Sequence, residues 1–520
     1  MERKERKTTE KRAMLKYAIR AGMFLLVISV VLSGLTNMLR LKSGDSHLLL
    51  SRELQQRTEW DVIFAGCSRT NQSVYPMQLW RDYGFTSYNN AQSGETVPLS
   101  YWTCKSIIRR CHPKVLVLDV AYCYLDQTYG NTSWMHQSLD PLSAWDRIPA
   151  AMDLAPEEEK MDFVFPLSIY HTRWKELTAS DFEDRSTLLK GCSQTYKIAE
   201  DIAGMELGEL PEKEMLAPSD VALEYLDKIV ELCKETGTQL VLVFPPAFTF
   251  PEIETISTTH DMTLEPLYAN WLAEYTAEKN VDYINFYKLV DELGFDYFLH
   301  LYNYSHMNYW GGEIVTDYLG RYLAENYDLP DRRGDPAYEQ WNEELLAYEV
   351  RVDRQLQNSS YTAIVDSTKV AEIVLERIDE INELPVKTMI TREEYGDWVA
   401  NQGVWIDRCN GVAPEVQTEL HIPRDAKEIN LYGWALDFWN DAPMQELYLQ
   451  VGDESIKCEF TVERETVAER FGNDAVNCGF NITFPISLLQ GGDVEKIYFI
   501  GVSADGQYVY APAAYQIDIS

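Results

Sequence analysis

A chain of 520 residues, 46% hydrophobic and 12% aromatic, holds apolar material for two or three domains with cores of their own, which excludes a disordered or fibrous protein. Its formal net charge of −36 is unevenly placed: residues 1–42 carry ten Lys and Arg against three acids, a net of +7, so the remainder stands at −43. A body this acidic excludes nucleic acid as a partner, because phosphate binders supply Lys and Arg, and anionic lipid head groups repel it.

Residues 1–20 read as a basic cytoplasmic tail, and Ala21 to Leu39 follows as 19 residues without a charge, about the length that crosses a hydrocarbon core as one helix. Eight of the ten positive charges precede that run, so the amino terminus is expected in the cytoplasm and everything after Lys42 outside. A cleaved signal peptide is the competing reading; the run is long for one and no A-x-A site follows it, so an uncleaved single-pass anchor in the cell membrane is the expectation. Residues 43–59 alternate in charge and predict a juxtamembrane helix.

Val62 to Ala65 is the short apolar run that a parallel strand buried on both faces requires, and Gly66 ends it. A hydroxyl just beyond such a strand stands at the carboxyl edge of the sheet, where open α/β folds bind their ligands. Ser68 is therefore the candidate nucleophile; its plain alternative is a helix N-cap. Thr70 occupies the place where the α/β-hydrolase elbow has its second Gly, which disfavours that family. Cys67 is a weaker candidate, because a neighbour in a strand-to-turn segment points elsewhere.

A second strand is predicted near Thr86 to Asn89, ahead of the segment N-N-A-Q-S-G-E-T, then a helix over Pro98 to Arg110 stopped by Pro113. Lys114 to Val120 reads as a third strand, Val221 to Cys233 as a helix, Gln239 to Phe244 as a strand, Leu264 to Glu278 as a helix, Val281 to Phe286 as a strand and Ile314 to Leu323 as an amphipathic helix. Strands alternating with helices predict a parallel, doubly wound α/β sheet within residues 43–330. The interval 122–220 is too long for one crossover and is expected to be a mostly helical insertion. Residues 331–425 read as a helical and mixed connector, and the period-two runs of 426–520, punctuated by Gly, Asp and Asn turns, predict an antiparallel β-sandwich. Nine cysteines are too few for a disulfide scaffold, and the odd count leaves at least one thiol free. Cys458 and Cys478 share the β-rich segment, with their pairing left open.

A serine nucleophile needs a base. Among eight His, His306 in N-Y-S-H-M-N-Y-W-G-G is the best placed, in the loop between the last strand and the closing helix, at the same end of the sheet as Ser68. Its plain alternative is a surface turn residue.

The G-C-S turn with Pro76 eight residues on, N-N-A-Q-S-G, and S-H-M-N-Y-W-G-G before a terminal helix together resemble the blocks of SGNH/GDSL-type hydrolases. They are most similar to the membrane-anchored extracytoplasmic branch that includes the teichoic-acid D-alanylation protein of the dlt system and the alginate O-acetylation proteins. The resemblance covers about 60–330 and implies a flavodoxin-like SGNH sheet, with Ser68 as nucleophile, His306 as general base, and the N–H groups of Ser68 and Gly94 as the oxyanion hole. It implies no cofactor and no metal. Two places depart from the family. Asn303 stands where the family carries Asp, and an amide cannot supply that charge; Asp296 is the substitute to consider. The G-x-N-D block is missing, and Asp119 and Tyr122 in that neighbourhood have no assigned role.

F-P-L-S-I-Y-H-T-R-W-K-E-L (165–177) is similar to Gram-positive members of that branch, which makes His171, Arg173 and Trp174 candidates for an acceptor groove, with a packed aromatic hairpin as the alternative. L-Y-G-W-A-L-D (431–437) and the stretch 464–482 resemble a small sandwich appended to bacterial surface-glycan enzymes, compatible with glycan contact or scaffolding. The resemblance implies an extracytoplasmic serine O-acyltransferase or esterase working on acyl esters of a cell-envelope polysaccharide, such as a teichoic-acid-like glycan. A transferase implies an integral-membrane acyl exporter as partner. The alternative is a non-catalytic glycan-binding or assembly protein that keeps the fold.

Overall fold

The computed structural model describes residues 2–39, 60–250, 264–359 and 401–519 with short interruptions, the longest at 179–187 and 491–495, together with pieces around 53–57 and 378–387. The juxtamembrane helix expected at 43–59 and the middle of the connector lie mostly outside the described residues. Helix α1 spans Glu2–Leu39. It runs on through the basic tail, which is rich in the good helix formers Lys, Arg, Glu and Ala. Its apolar part, Met14–Thr36, is long and apolar enough to cross a membrane and is not buried against the rest of the chain.

The chain then enters β1 Val62–Ala65, α2 Ser68–Ser73, α3 Pro76–Tyr83, β2 Ser87–Asn89, α4 Val97–Cys111 and β3 Val115–Asp119. An insertion follows with α5 Thr132–Leu139, α6 Ala144–Leu154, α7 Lys160–Val164, α8 Leu167–Tyr170 and a 3₁₀ turn at His171–Lys175. The main fold resumes with α9 Asp220–Thr236, β4 Gln239–Phe244, α10 Glu265–Lys279, β5 Asp282–Asn285, the short α11 Tyr297–His300, a hairpin of β6 Leu301–Asn303 and β7 His306–Met307, and α12 Tyr309–Asn326. A last helix, α13 Glu339–Asn358, packs back on this body.

The five strands stand in the order β2-β1-β3-β4-β5, and every pair is parallel. This is the flavodoxin-like doubly wound order, whose ligand crevice lies at the carboxyl ends of β1 and β3. Ile63, Ala65, Leu116, Leu118, Leu242 and Phe244 enter one core layer, and Val62, Phe64, Val115, Val117, Val241 and Val243 enter the other. Covering both faces is what makes these strands continuous apolar runs. On α9 the buried stripe is Ala222, Tyr225, Leu226, Ile229, Val230 and Cys233; Ser219 caps its start and Gly237, left-handed, its end.

The insertion is helical only as far as the 3₁₀ turn at His171–Lys175; the described residues of 188–218 are turns and irregular chain, so the expected helical character holds for its first half. At its far end Lys190 is fully buried between Glu53 and Glu344, at 2.6 Å from each, with the Trp341 ring centroid 5.1 Å from its ammonium. That cluster fastens the segment after α1 and helix α13 to the α/β body.

The carboxyl-terminal unit is a two-sheet sandwich whose inner faces meet through Leu431, Leu447, Phe480, Phe499 and Tyr515. Its pairings are antiparallel along the main ladders, with Glu419–Ile422 added parallel to Ala513–Ile519. The sandwich begins earlier than the expected 426: Val404–Cys409 pairs with Glu428–Asp437, so both it and Glu419–Ile422 leave the connector. Those strands are short and separated by a loop, which dilutes the period-two signal, yet Val404, Ile406, Leu420 and Ile422 are core residues. All nine cysteines are free and buried, so Cys458 and Cys478 do not pair.

Candidate active site

The site begins at the end of β1. Gly66 has φ +121°, and a Cβ there would fall 2.6 Å from the Cβ of Asp119. Only glycine lets β1 and β3 approach this closely while the chain turns. Cys67 takes the N-cap position of α2 without a side-chain cap bond, and its thiol donates to Asp119 Oδ2 at 3.0 Å. Burial first, then the Asp119 charge, hold that thiol well above its ordinary pKa. It is therefore protonated and paired away from His306. The other oxygen of Asp119 accepts the N–H of Ala121 at 2.8 Å, which gives Asp119 a role in shaping this turn.

Ser68 is the first residue of α2, one position past the cap, and its Oγ lies 2.8 Å from Nε2 of His306. Asn89 holds the helix in place by donating from Nδ2 to the carbonyls of Thr70 and Val74 at 2.8 and 2.9 Å. His306 opens β7, and the β6–β7 hairpin presents it across from Ser68.

The protonation of His306 follows from what Asn303 does. Oδ1 of Asn303 accepts the backbone N–H groups of Ser305 at 3.0 Å and His306 at 2.9 Å. Two N–H donors require that atom to be the amide oxygen and not the nitrogen. The same oxygen is 3.0 Å from His306 Nδ1, so Nδ1 carries the proton and Nε2 presents its lone pair to the Ser68 hydroxyl. Ser305 Oγ, 2.9 Å from Nδ1, is a second neighbour, and the Tyr302 ring stacks on the imidazole at 5.6 Å. No carboxylate faces Nδ1 among these partners. Burial, with the nearby Arg69 charge second, lowers the His306 pKa to about 4.

Asp296 does not replace the missing carboxylate. Its Oδ1 accepts from Phe298 N at 2.8 Å to cap α11, and its own N–H donates to His300 Nδ1. A two-residue cap uses the side chain locally and turns it from His306.

Arg69 was not legible from the motif. It is buried beside Ser68 and donates through both terminal nitrogens to Glu265, at 2.5 and 2.6 Å, and Tyr287 donates to the same carboxylate at 3.0 Å. The signals available were a charged residue directly after the nucleophile and a lone acid opening the helix at 265.

Gly94 lies in a loop tied to the nucleophile turn: Asn90 N and Gln92 N donate to the carbonyls of Phe64 and Gly66 at 2.8 and 2.9 Å, respectively, and Asn71 Nδ2 donates to Ala91 O at 3.0 Å. Its φ is +62°, and a Cβ would sit 1.9 Å from the Trp134 ring of the insertion. Among the described residues the backbone N–H groups of Ser68 and Gly94 have no acceptor. The next residue, Glu95, is buried with Thr103 and Ser138 donating to it; burial raises its pKa to about 7.

The three candidates in the insertion do not form a groove with this pair. His171 Nδ1 faces Ser168 O at 2.6 Å, Trp174 is exposed beside Lys175, and Arg173 is buried with Nη1 donating to the carbonyl of Leu39 at 3.0 Å. The stretch 165–177 is turned toward the end of α1, a tertiary contact that no local pattern announces.

No protein-family model and no curated protein matches the chain. Among solved structures it is similar to a GDSL-like lipase from Bacteroides thetaiotaomicron, with 12% identity over 54% of this chain and 98% of that one and a TM-score of 0.29. It is also similar to the lipase/acylhydrolase from Enterococcus faecalis, with 11% identity over 52% of this chain and 98% of that one and a TM-score of 0.27.

Proposed function

We propose that the chain is a membrane-anchored, extracytoplasmic serine esterase or O-acyltransferase that handles acyl esters, acetyl among them, of a cell-envelope polysaccharide through an acyl-enzyme on Ser68. What carries this reading is the Ser68 Oγ to His306 Nε2 contact of 2.8 Å with the imidazole in the accepting tautomer. In the first half-reaction Oγ attacks the ester carbonyl carbon while its proton passes to Nε2. The negative charge that develops on the carbonyl oxygen falls to the N–H groups of Ser68 and Gly94. The tetrahedral adduct collapses as Nε2 returns the proton to the leaving alkoxide oxygen. A water or a glycan hydroxyl then gives its proton to Nε2 and attacks the acyl-serine; as the C–Oγ bond breaks Nε2 hands that proton to Oγ, which releases an acid or a transferred ester and restores Ser68.

The apolar Met14–Thr36 helix supports the anchor, and the basic residues ahead of it support an amino terminus in the cytoplasm. Transferase action would require an integral-membrane exporter to deliver the acyl group; an esterase would not. Asn303 makes the base weak, since an imidazolium formed at Nε2 meets an amide dipole and not a carboxylate. A fluorophosphonate probe on the full chain in detergent, with release of p-nitrophenol from its acetate ester, tests the proposal. Labelling and turnover that vanish in Ser68→Ala support it; turnover equal in Ser68→Ala and wild type refutes it.

A further inference from the structure

The insertion carries apolar side chains that the fold leaves uncovered. Met161 in α7, Phe165 just past its end, Ile169 in α8 and Trp174 in the 3₁₀ turn are 57, 53, 41 and 64% exposed. Of this stretch, α8 and the 3₁₀ turn pack on α1. Arg173, only 8% exposed, donates to the carbonyl of Leu39, the last residue of α1, where a cation is favoured by both the unpaired carbonyls and the helix dipole.

These contacts set the depth of the patch. The apolar window ends at Thr36, and Leu39 stands three residues on, roughly 4.5 Å further along the helix axis. The polar layer on each side of a bilayer's hydrocarbon is about 5–7 Å thick. A patch fastened to Leu39 therefore lies at head-group depth, where Trp and Phe are favoured because one end of the site is apolar and the other wet. The local charge agrees: residues 160–177 hold Lys160, Arg173 and Lys175 against Asp162 and Glu176, close to neutral within a strongly acidic body.

We infer that residues 161–174 are an interfacial docking surface whose occupant is the lipid bilayer that holds α1, with Phe165, Ile169 and Trp174 seated among the head groups and upper acyl chains. The inference rests on the anchor reading. Its consequence concerns the site, because the insertion also lays Trp134 against Gly94. Docking holds the Ser68 crevice at a fixed height above the membrane, in reach of a donor or acceptor delivered from it.

All nine native cysteines are buried, so a single introduced surface thiol labels selectively. The full chain is placed in phosphatidylcholine nanodiscs with an environment-sensitive fluorophore at Ile169→Cys or Trp174→Cys. The reference positions are Val27→Cys within α1 and Val412→Cys in the sandwich, at residues 60 and 70% exposed. Lipids carrying a nitroxide near the head group are expected to quench the labels at 169 and 174 at least twofold and to leave the label at 412 unchanged. Apolar emission from the label at 27 with labels at 169 and 174 as aqueous and as unquenched as that at 412 would overturn the inference and leave the patch to a protein partner. An aqueous label at 27 would instead overturn the anchor reading, and this inference with it.

Discussion

Replacing Asn303 with Asp puts a negative charge where the amide oxygen now stands, 3.0 Å from His306 Nδ1. The new carboxylate fits the place: the N–H groups of Ser305 and His306 already point at it and hold it ionised. Two unit charges about 4 Å apart at an effective dielectric near 20 attract by about 4 kcal/mol, and at about 1.4 kcal/mol per unit this raises the His306 pKa by roughly three. From about 4 in the native protein it moves to the neighbourhood of 7. Catalysis needs the neutral imidazole, so the wild type should keep a flat kcat/KM down to pH 5 and lose it only near 4. The variant should fall tenfold per pH unit below about 7. On the alkaline plateau the carboxylate stabilises the imidazolium-like transition state, and since losing such a charge costs on the order of 10⁴ in rate, a gain of about 10²–10⁴ is expected. The assay is the burst of p-nitrophenol from the acetate ester between pH 3.5 and 9, for wild type, Asn303→Asp and Ser68→Ala. An acid limb near 6.5 in the wild type would refute the effect ascribed to burial and Arg69. A limb unmoved in a folded Asn303→Asp would refute the contact with Nδ1.

Gly94→Ala should lower turnover by at least tenfold with an unchanged melting temperature within a few degrees, because its Cβ meets the Trp134 ring; Trp134→Ala in the same chain should restore part of it, which kcat/KM of the double variant measures. Glu95, raised from 4.5 to about 7 by burial, favours the folded state in its protonated form. Stability is thus full below pH 4.5 and about 3 kcal/mol of it is lost as pH rises through 7; urea titrations of Glu95→Gln should lack that slope. Lys190→Met removes the 2.6 Å contacts to the buried Glu53 and Glu344 and leaves those carboxylates the longer ones to Arg57, at 3.3 and 3.4 Å; it should cost about 3 kcal/mol, the low end for breaking a buried pair, read from the urea midpoint.

What could be read along the chain is whatever depends on neighbours a few residues away. The charge-free run of 21–39 declares a membrane-length helix by composition alone. Val62 to Ala65 and Val115 to Leu118 declare strands covered on both faces, because a strand without a polar face has no water-facing side. Ser68 and His306 were legible as candidates for the same reason: in a doubly wound sheet, residues just past strand ends share one edge. The fold decided what depends on distant partners. Arg69 meets Glu265 and Lys190 meets Glu53 and Glu344 across intervals that leave no periodic trace. Arg173 spends its donor on the end of α1, Asp296 caps its own helix, and Val404–Cys409 joins the sandwich through a pairing that a six-residue alternation is too short to announce. The tautomer of His306 is of this kind as well, since it follows from two backbone N–H groups converging on one amide oxygen, a geometry that exists only once the hairpin has closed.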